Sequence, residues 1–341
     1  MRRLRVGLTI MALALTCVTS AQAEPAATGC TAHDLPARVA GVPVTVHGTL
    51  CRPTGRAYKK AAVQLLLAGS TYGSDYWDVT GSSYRRAMNA AGYATLSVDR
   101  LGTGGSSHPV STLLTGESQA EAVHQVVRAL RAGRFGRRYD TVITVGHSYG
   151  SAIAMIEAGR YRDVDGAVLT GISHRPNLAQ AVALIASLYP ANLDRRFAAR
   201  RMDPGYLTTR PGTRYRLFHA PGHPAQSLVD ADERGKELFA ATELEGVAEA
   251  TLTPYSRRIE APVLLVNGTG DPLFCGAPLL ATRCSAADRL TADERPYYGP
   301  RVRLDAVVVP GYGHSINYAP NAGEYFARVT RWTDGVVAAH T

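Results

Sequence analysis

Cysteine is scarce in this chain, five residues in 341, and no two stand in C-x-x-C spacing, which argues against zinc ribbons and fingers. Long apolar runs are scarce too. Beyond the first 23 residues none is apolar enough for long enough to span a bilayer, and no tandem repeat or low-complexity tract occurs. The sequence therefore points away from an integral membrane protein and from a solenoid. Basic side chains outnumber acidic ones, 37 to 28, but the arginines are scattered, with only short doublets such as Arg137-Arg138, Arg195-Arg196 and Arg200-Arg201. A nucleic-acid face needs a clustered basic stripe, so no nucleic-acid partner is expected.

At the start of the chain, Arg2, Arg3 and Arg5 precede an apolar stretch from Val6 to Val18, which leads to Ala21-Gln22-Ala23. A basic start, a short apolar run and a small-x-small site predict a signal peptide over residues 1–23, cleaved after Ala23, and a secreted mature protein. Losing those residues removes three arginines and no acid, so the formal charge of +9 falls by three to +6. Cys17 leaves as well. The remaining four cysteines allow three pairings, of which the nearest-neighbour one is expected, Cys30 with Cys51 and Cys275 with Cys284.

Downstream, Arg38 to Cys51 alternates around Val42, Val44 and Val46 and reads as an edge hairpin or strand. Continuous apolar runs follow at Val63 to Leu67, Tyr93 to Val98, Thr141 to Val145, Val164 to Leu169, Val263 to Val266 and Ala306 to Val309. Runs apolar on both faces suit buried parallel strands, and helix-period segments at Ser82 to Ala91, Glu117 to Ala132, Ser151 to Arg160 and Ala322 to Ala338 supply the covering layers. The expectation is an α/β fold with a mostly parallel, doubly wound sheet. About ninety residues separate the strands near Thr170 and Val263, too many for a structureless loop. They are expected to form a mainly helical cap, residues 172–260, with helices at Asn177 to Leu188 and Ala231 to Ala241, inserted into a core of 24–171 and 261–341.

Gly146-His147-Ser148-Tyr149-Gly150 is a G-x-S-x-G pentapeptide set between a strand and an Ala-rich helix. That context predicts a sharp turn carrying Ser148 as an exposed nucleophile at a helix N-terminus. A serine hydroxyl needs a base, and His314, in Gly311-Tyr312-Gly313-His314 after the last strand, is the candidate. Asp271, just past the strand at Val263 to Val266, is in the chain position of the carboxylate that orients such a base. The oxyanion donors are expected to be the backbone N–H groups of Tyr149 and of Ser70, with Thr71 the alternative to Ser70. Asp99 to Ser106 is glycine-rich, but neither a lysine nor a helix follows it, so it is expected to be a structural turn. His219 and His223 lie four apart, yet Pro221 and Gly222 between them break a helix, and no metal site is expected there.

The stretch TYGSDYWD at 71–78, DRLGTGGSSHP at 99–109 and GHSYG at 146–150 together resemble the α/β-hydrolase superfamily, in particular its secreted bacterial esterase and lipase-like members. The resemblance runs from about Arg38 to the C-terminus. It implies a Ser-His-Asp enzyme that cleaves carboxylic esters or lactones through an acyl-enzyme, without metal or cofactor. One departure concerns the oxyanion loop: the family often has His-Gly where this chain has Ala68-Gly69. Tyr72, Trp77, Tyr149, Leu184 and Leu188 are candidates for an acyl pocket.

Three alternatives share much of this pattern. A peptidase or amidase would use the same triad and hold a substrate amine with Glu243, Glu245 or Glu249. An acyltransferase would use the same residues, and a non-catalytic binding protein would use the same scaffold. The expected partner is a small-molecule or lipid-like ester, with no obligate protein partner.

Overall fold

The computed structural model describes residues 28–53, 61–79, 81–219, 226–277 and 281–339. The expected signal peptide and His223 lie outside the described residues.

The chain opens with a long antiparallel hairpin, β1 (Thr28–Val39) and β2 (Val42–Pro53). Sequence alternation locates only part of it, because β1 buries just Leu35, Ala37 and Val39 and is polar before them. Next come β3 (Ala62–Leu67), α1 (Tyr84–Ala90), β4 (Ala94–Val98), α2 (Gly116–Arg131), β5 (Thr141–His147), α3 (Tyr149–Tyr161) and β6 (Gly166–Thr170). After a long crossover the chain returns as β10 (Val263–Gly268), α9 (Ala287–Glu294), β11 (Leu304–Val309) and α10 (Ala322–Ala338). The eight strands form one sheet in the order β1-β2-β4-β3-β5-β6-β10-β11, antiparallel through β4 and parallel from there on.

Every residue of β3, β4, β5, β6 and β10 is buried, which explains their mostly apolar character: helices cover both faces. Helix boundaries follow local chemistry. The hydroxyl of Thr115 accepts the Ser118 N–H at 3.1 Å and starts α2, with the Ser118 hydroxyl reciprocating at the Thr115 N–H.

The crossover between β6 and β10 contains α4 (Leu178–Ser187), α5 (Arg214–Phe218), α6 (Gln226–Arg234), α7 (Leu244–Leu252) and α8 (Tyr255–Arg258). It also contains an antiparallel sheet absent from the sequence expectation, β7 (Leu188–Pro190), β8 (Tyr206–Thr209) and β9 (Phe239–Ala240). The helix expected at Ala231 to Ala241 starts earlier and ends at Arg234. There Gly235 closes the last turn on Ala231, and Lys236 leaves the helix to form a bridge with Tyr72, so the next residues run extended.

Cys30 is bonded to Cys51 across a paired position of the hairpin, and Cys275 to Cys284 just beyond β10. No helix among the described residues is long and apolar enough to cross a membrane.

Candidate active site

The site lies at the carboxyl ends of the parallel strands, where three loops and the crossover meet. Ser148 joins β5 to α3 with φ 53° and ψ −118°, backbone that a side-chain-bearing residue rarely adopts and that costs on the order of 1–3 kcal/mol. The turn needs glycine on both sides. A Cβ on Gly146 would stand 2.4 Å from the Ser151 nitrogen, and one on Gly150 would stand 2.1 Å from the Leu67 carbonyl oxygen. The Ser148 N–H donates to Thr170 O at 2.8 Å, which fixes the turn to β6.

His314 follows β11 and is buried between the rings of Phe274 and Phe218, at 5.7 and 5.9 Å between centroids. Its Nδ1 lies 2.8 Å from Asp271 Oδ2, and both side chains are excluded from solvent. The other oxygen of Asp271 accepts the N–H groups of Leu273 at 2.8 Å and Phe274 at 3.2 Å. The carboxylate is thus held by its own loop and turned toward the imidazole. His314 Nε2 is buried and has no hydrogen-bond partner among the described residues. His147, next to Ser148, is stacked on Tyr76 at 4.3 Å and hydrogen-bonded through Nδ1 to Thr170. Burial, and then the nearby His314, push its pKa well below the ordinary histidine value, so it sits there as a neutral ring.

The turn after β3 approaches Ser148 from the other side. A Cβ built on Gly69 would be 3.0 Å from Ser148 Cβ, and Ser70 borders the same cleft as Ser148. The alternative donor residue, Thr71, is fully buried with φ 59° and does not border that cleft.

Two buried arginines flank the Ser70 peptide. Arg100 Nη2 donates to Gly69 O at 3.2 Å, and Gly69 O belongs to the peptide group whose N–H is that of Ser70. Arg100 also pairs with Glu243 of the crossover at 2.8 Å and lies over the Tyr149 ring at 5.1 Å. On the far side, Arg214 Nη1 donates to Thr71 Oγ1 at 2.8 Å and Thr71 O at 3.2 Å. Its Nε and Nη2 meet the two oxygens of Asp232 at 3.0 and 2.9 Å. Burial alone would raise the Asp232 pKa, but Arg214 and His219 hold its carboxyl well below the usual carboxylate range. Burial pushes the Glu243 carboxyl up against the pull of Arg100.

Sequence spacing assigns 99–106 a turn-forming role only. The turn is present, closed by the Gly105 N–H on Asp99 Oδ2 at 2.8 Å, and Arg100 adds a second role that spacing does not reveal. Arg214 has no motif around it; its isolation in a Pro- and Gly-rich segment hides its burial.

The cleft over Ser148 has a volume of about 310 Å³ and is lined mainly by Leu184, Leu188, Phe239, Val247, Leu273 and Phe274. Leu184 and Leu188 belong to it as the sequence suggests, whereas Tyr72, Trp77 and Tyr149 are buried in packing and do not border it. A larger hollow of about 660 Å³ near Arg210, Tyr215 and His219 is not bordered by Ser148. At the mouth of the smaller cleft, Leu178 and Leu252 are 71% and 82% exposed. His219 is engaged with Tyr312 and Asp232 at 2.9 and 3.0 Å.

A family model described as the alpha/beta hydrolase family matches residues 64–328, well over half of the chain. No curated protein matches in sequence. Among solved structures, a carboxyl esterase from Bacillus coagulans, described as highly thermostable, is similar with a TM-score of 0.61 at 14% identity, covering 90% of this chain and 99% of its own. A lipase in an open form gives 0.58 at 16% identity, with 90% and 99% covered. An enol-lactonase from Burkholderia xenovorans gives 0.53 at 17% identity, with 88% and 100% covered. At these identities the likeness is one of fold.

Proposed function

The chain belongs to the alpha/beta hydrolase family, and on that premise we propose that it is a secreted serine hydrolase of carboxylic esters, lactones included, with apolar acyl groups. The observation that carries the reading is the conjunction of a strained Ser148, a buried His314 with a free Nε2, and an Asp271 carboxylate 2.8 Å from the opposite ring nitrogen. In the proposed reaction, Ser148 Oγ attacks the ester carbonyl carbon and His314 Nε2 takes the hydroxyl proton. Asp271 holds the imidazolium that forms. The oxyanion is received by the N–H groups of Tyr149, at the start of α3, and Ser70. As the tetrahedral adduct collapses, the C–O bond to the alcohol breaks and the alkoxide takes the proton from His314. Water, deprotonated by the same imidazole, then adds to the acyl-enzyme and releases the acid and Ser148.

The small apolar cleft and its exposed leucine rim favour an apolar acyl group over a charged one. The amidase alternative is less well supported. Glu243 is the only one of the three candidate carboxylates that borders the cleft, and its oxygens are taken by Arg100, Gln119 and the Ala240 N–H. The crossover acts in this reading as a cap over the cleft. The two disulfides and the basic-apolar pattern at 1–23 support export.

The test is a series of p-nitrophenyl esters of graded chain length alongside aminoacyl p-nitroanilides. Each buried methylene contributes about 0.8 kcal/mol, so kcat/KM is expected to rise about fourfold per carbon until the cleft is full and then fall. Faster cleavage of the anilides than of every ester would overturn the assignment.

A further inference from the structure

At the opposite end of the sheet from Ser148, three side chains from separate parts of the chain converge. His124 comes from α2, Glu157 from the last turns of α3, and Asp163 from the loop that precedes β6. One ligand atom from each lies within 4.8 Å of the others. Glu157 is fully buried in the middle of an otherwise apolar helix face, and His124 and Asp163 are about one-fifth exposed.

The polar atoms of this cluster are not satisfied by the protein. Both oxygens of Glu157, both of Asp163 and Nδ1 of His124 are buried and without a hydrogen-bond partner among the described residues. His124 Nδ1 approaches Asp163 Oδ2 to 2.8 Å, but out of line for an N–H···O bond. The guanidinium of Arg131, whose charge reaches Glu157, spends its hydrogen bonds elsewhere: it donates to the carbonyls of Asp163 and Asp140 and to the carboxylate of Asp165. Two buried carboxylates that face each other, offset only by the His124 ring and the charge of Arg131, are expensive.

We propose that His124, Glu157 and Asp163 bind a divalent transition-metal cation, zinc being the best chemical match, which ties α2 and α3 to the loop before β6. An imidazole nitrogen with two carboxylates suits zinc, whereas calcium and magnesium favour all-oxygen shells. The ligand atoms need to draw in by only about 1 Å to reach bonds of about 2.0–2.2 Å. His124 and Asp163 lie on the side of the cluster nearer solvent, from which water can complete the coordination. His124 is held for this role by stacking on Tyr161 at 3.9 Å with rings 8° apart. A competing way to satisfy the cluster is a proton shared between Glu157 and Asp163, and burial, the hydrogen bond that such a proton makes to Asp163 and then the Asp163 charge push the Glu157 carboxyl well up. One proton, however, serves one oxygen of each acid and leaves the imidazole lone pair and the remaining oxygens without partners.

This cation is structural and takes no part in the hydrolytic steps proposed above. The test uses the whole mature protein, dialysed against EDTA, with zinc, calcium or magnesium chloride added back. Calorimetric titration and melting temperature are the readouts. One zinc per chain is expected, with a rise in melting temperature of about 5 °C at a hundredfold excess over Kd, and no comparable effect of calcium or magnesium. His124→Asn, a change at a partly exposed position, and Glu157→Gln should each remove the zinc effect. Absence of zinc binding in the parent protein, or binding that persists in His124→Asn, overturns the proposal. A Glu157→Gln protein that melts higher than a parent indifferent to zinc would assign the cluster to the shared proton instead.

Discussion

Arg100, on the loop after β4, and Glu243, on the crossover, form a solvent-excluded ion pair at 2.8 Å, and the same guanidinium holds the carbonyl of the Gly69–Ser70 peptide. The peptide group proposed to stabilise the oxyanion is therefore anchored by a charge whose counter-ion comes from the crossover. Arg214 and Asp232 repeat the arrangement at Thr71. If the Ser70 N–H is a catalytic donor, its aim depends on these two arginines, and the crossover contributes to rate as well as to substrate fit.

Arg100→Lys keeps the positive charge but gives up the planar fork that reaches Gly69 O and Glu243 together. We expect kcat for an ester to fall about 10- to 100-fold with KM within about threefold, since a donor that acts on the transition state is misplaced while the cleft is untouched. A rise in KM at constant kcat would assign Arg100 to the cleft wall and remove its link to the oxyanion turn.

How much of the molecule is legible in the sequence differs by element. The strand–GHSYG–helix context picks out Ser148 as the candidate nucleophile, and chain order picks out Asp271 and His314 as its candidate partners, because the expected elbow needs small residues at fixed offsets and sits between recognisable runs. The core strands are legible for a similar reason: two buried faces leave a continuous apolar signature. The three-stranded sheet of the crossover is not, since β7 and β9 have three and two residues and no period can be read from so few. The buried arginines escape because a guanidinium's burial depends on a carboxylate far away in sequence, as Arg100 depends on Glu243. Glu157, by contrast, leaves a trace. An acid within Met155-Ile156-Glu157-Ala158 breaks an apolar run, and the structure shows that carboxylate buried.

His147 supplies a pH test. Its pKa is depressed in the folded state, so the unfolded chain takes up a proton first, below about pH 6.5, and stability is lost as pH falls. Urea unfolding at pH 7 and pH 5 should show the parent losing up to about 2 kcal/mol more than His147→Asn. Equal losses in the two proteins would mean that the ring is protonated in the fold.

The bridge between Cys275 and Cys284 starts four residues after Asp271, and the Cys275 N–H donates to Asp271 O at 3.0 Å. By chain entropy, the bridge between cysteines 9 positions apart contributes about 2.6 kcal/mol and that between Cys30 and Cys51, 21 positions apart, about 3.3 kcal/mol. Replacing Cys275 and Cys284 by Ser is expected to lower kcat more than it lowers melting temperature, and the same change at Cys30 and Cys51 to do the reverse. Unchanged kcat in the first double mutant would show that the bridge does not hold the acid.

The central claim is that Ser148 is an activated nucleophile, and labelling by a fluorophosphonate followed by intact-protein mass spectrometry tests it most directly. One adduct per chain is predicted on the parent protein, mapped to the peptide containing Ser148. Ser148→Ala is predicted to take up no label and to lose about 10⁴- to 10⁶-fold in kcat. A label that persists in Ser148→Ala, or a parent protein that hydrolyses esters yet never takes the label, would contradict the claim.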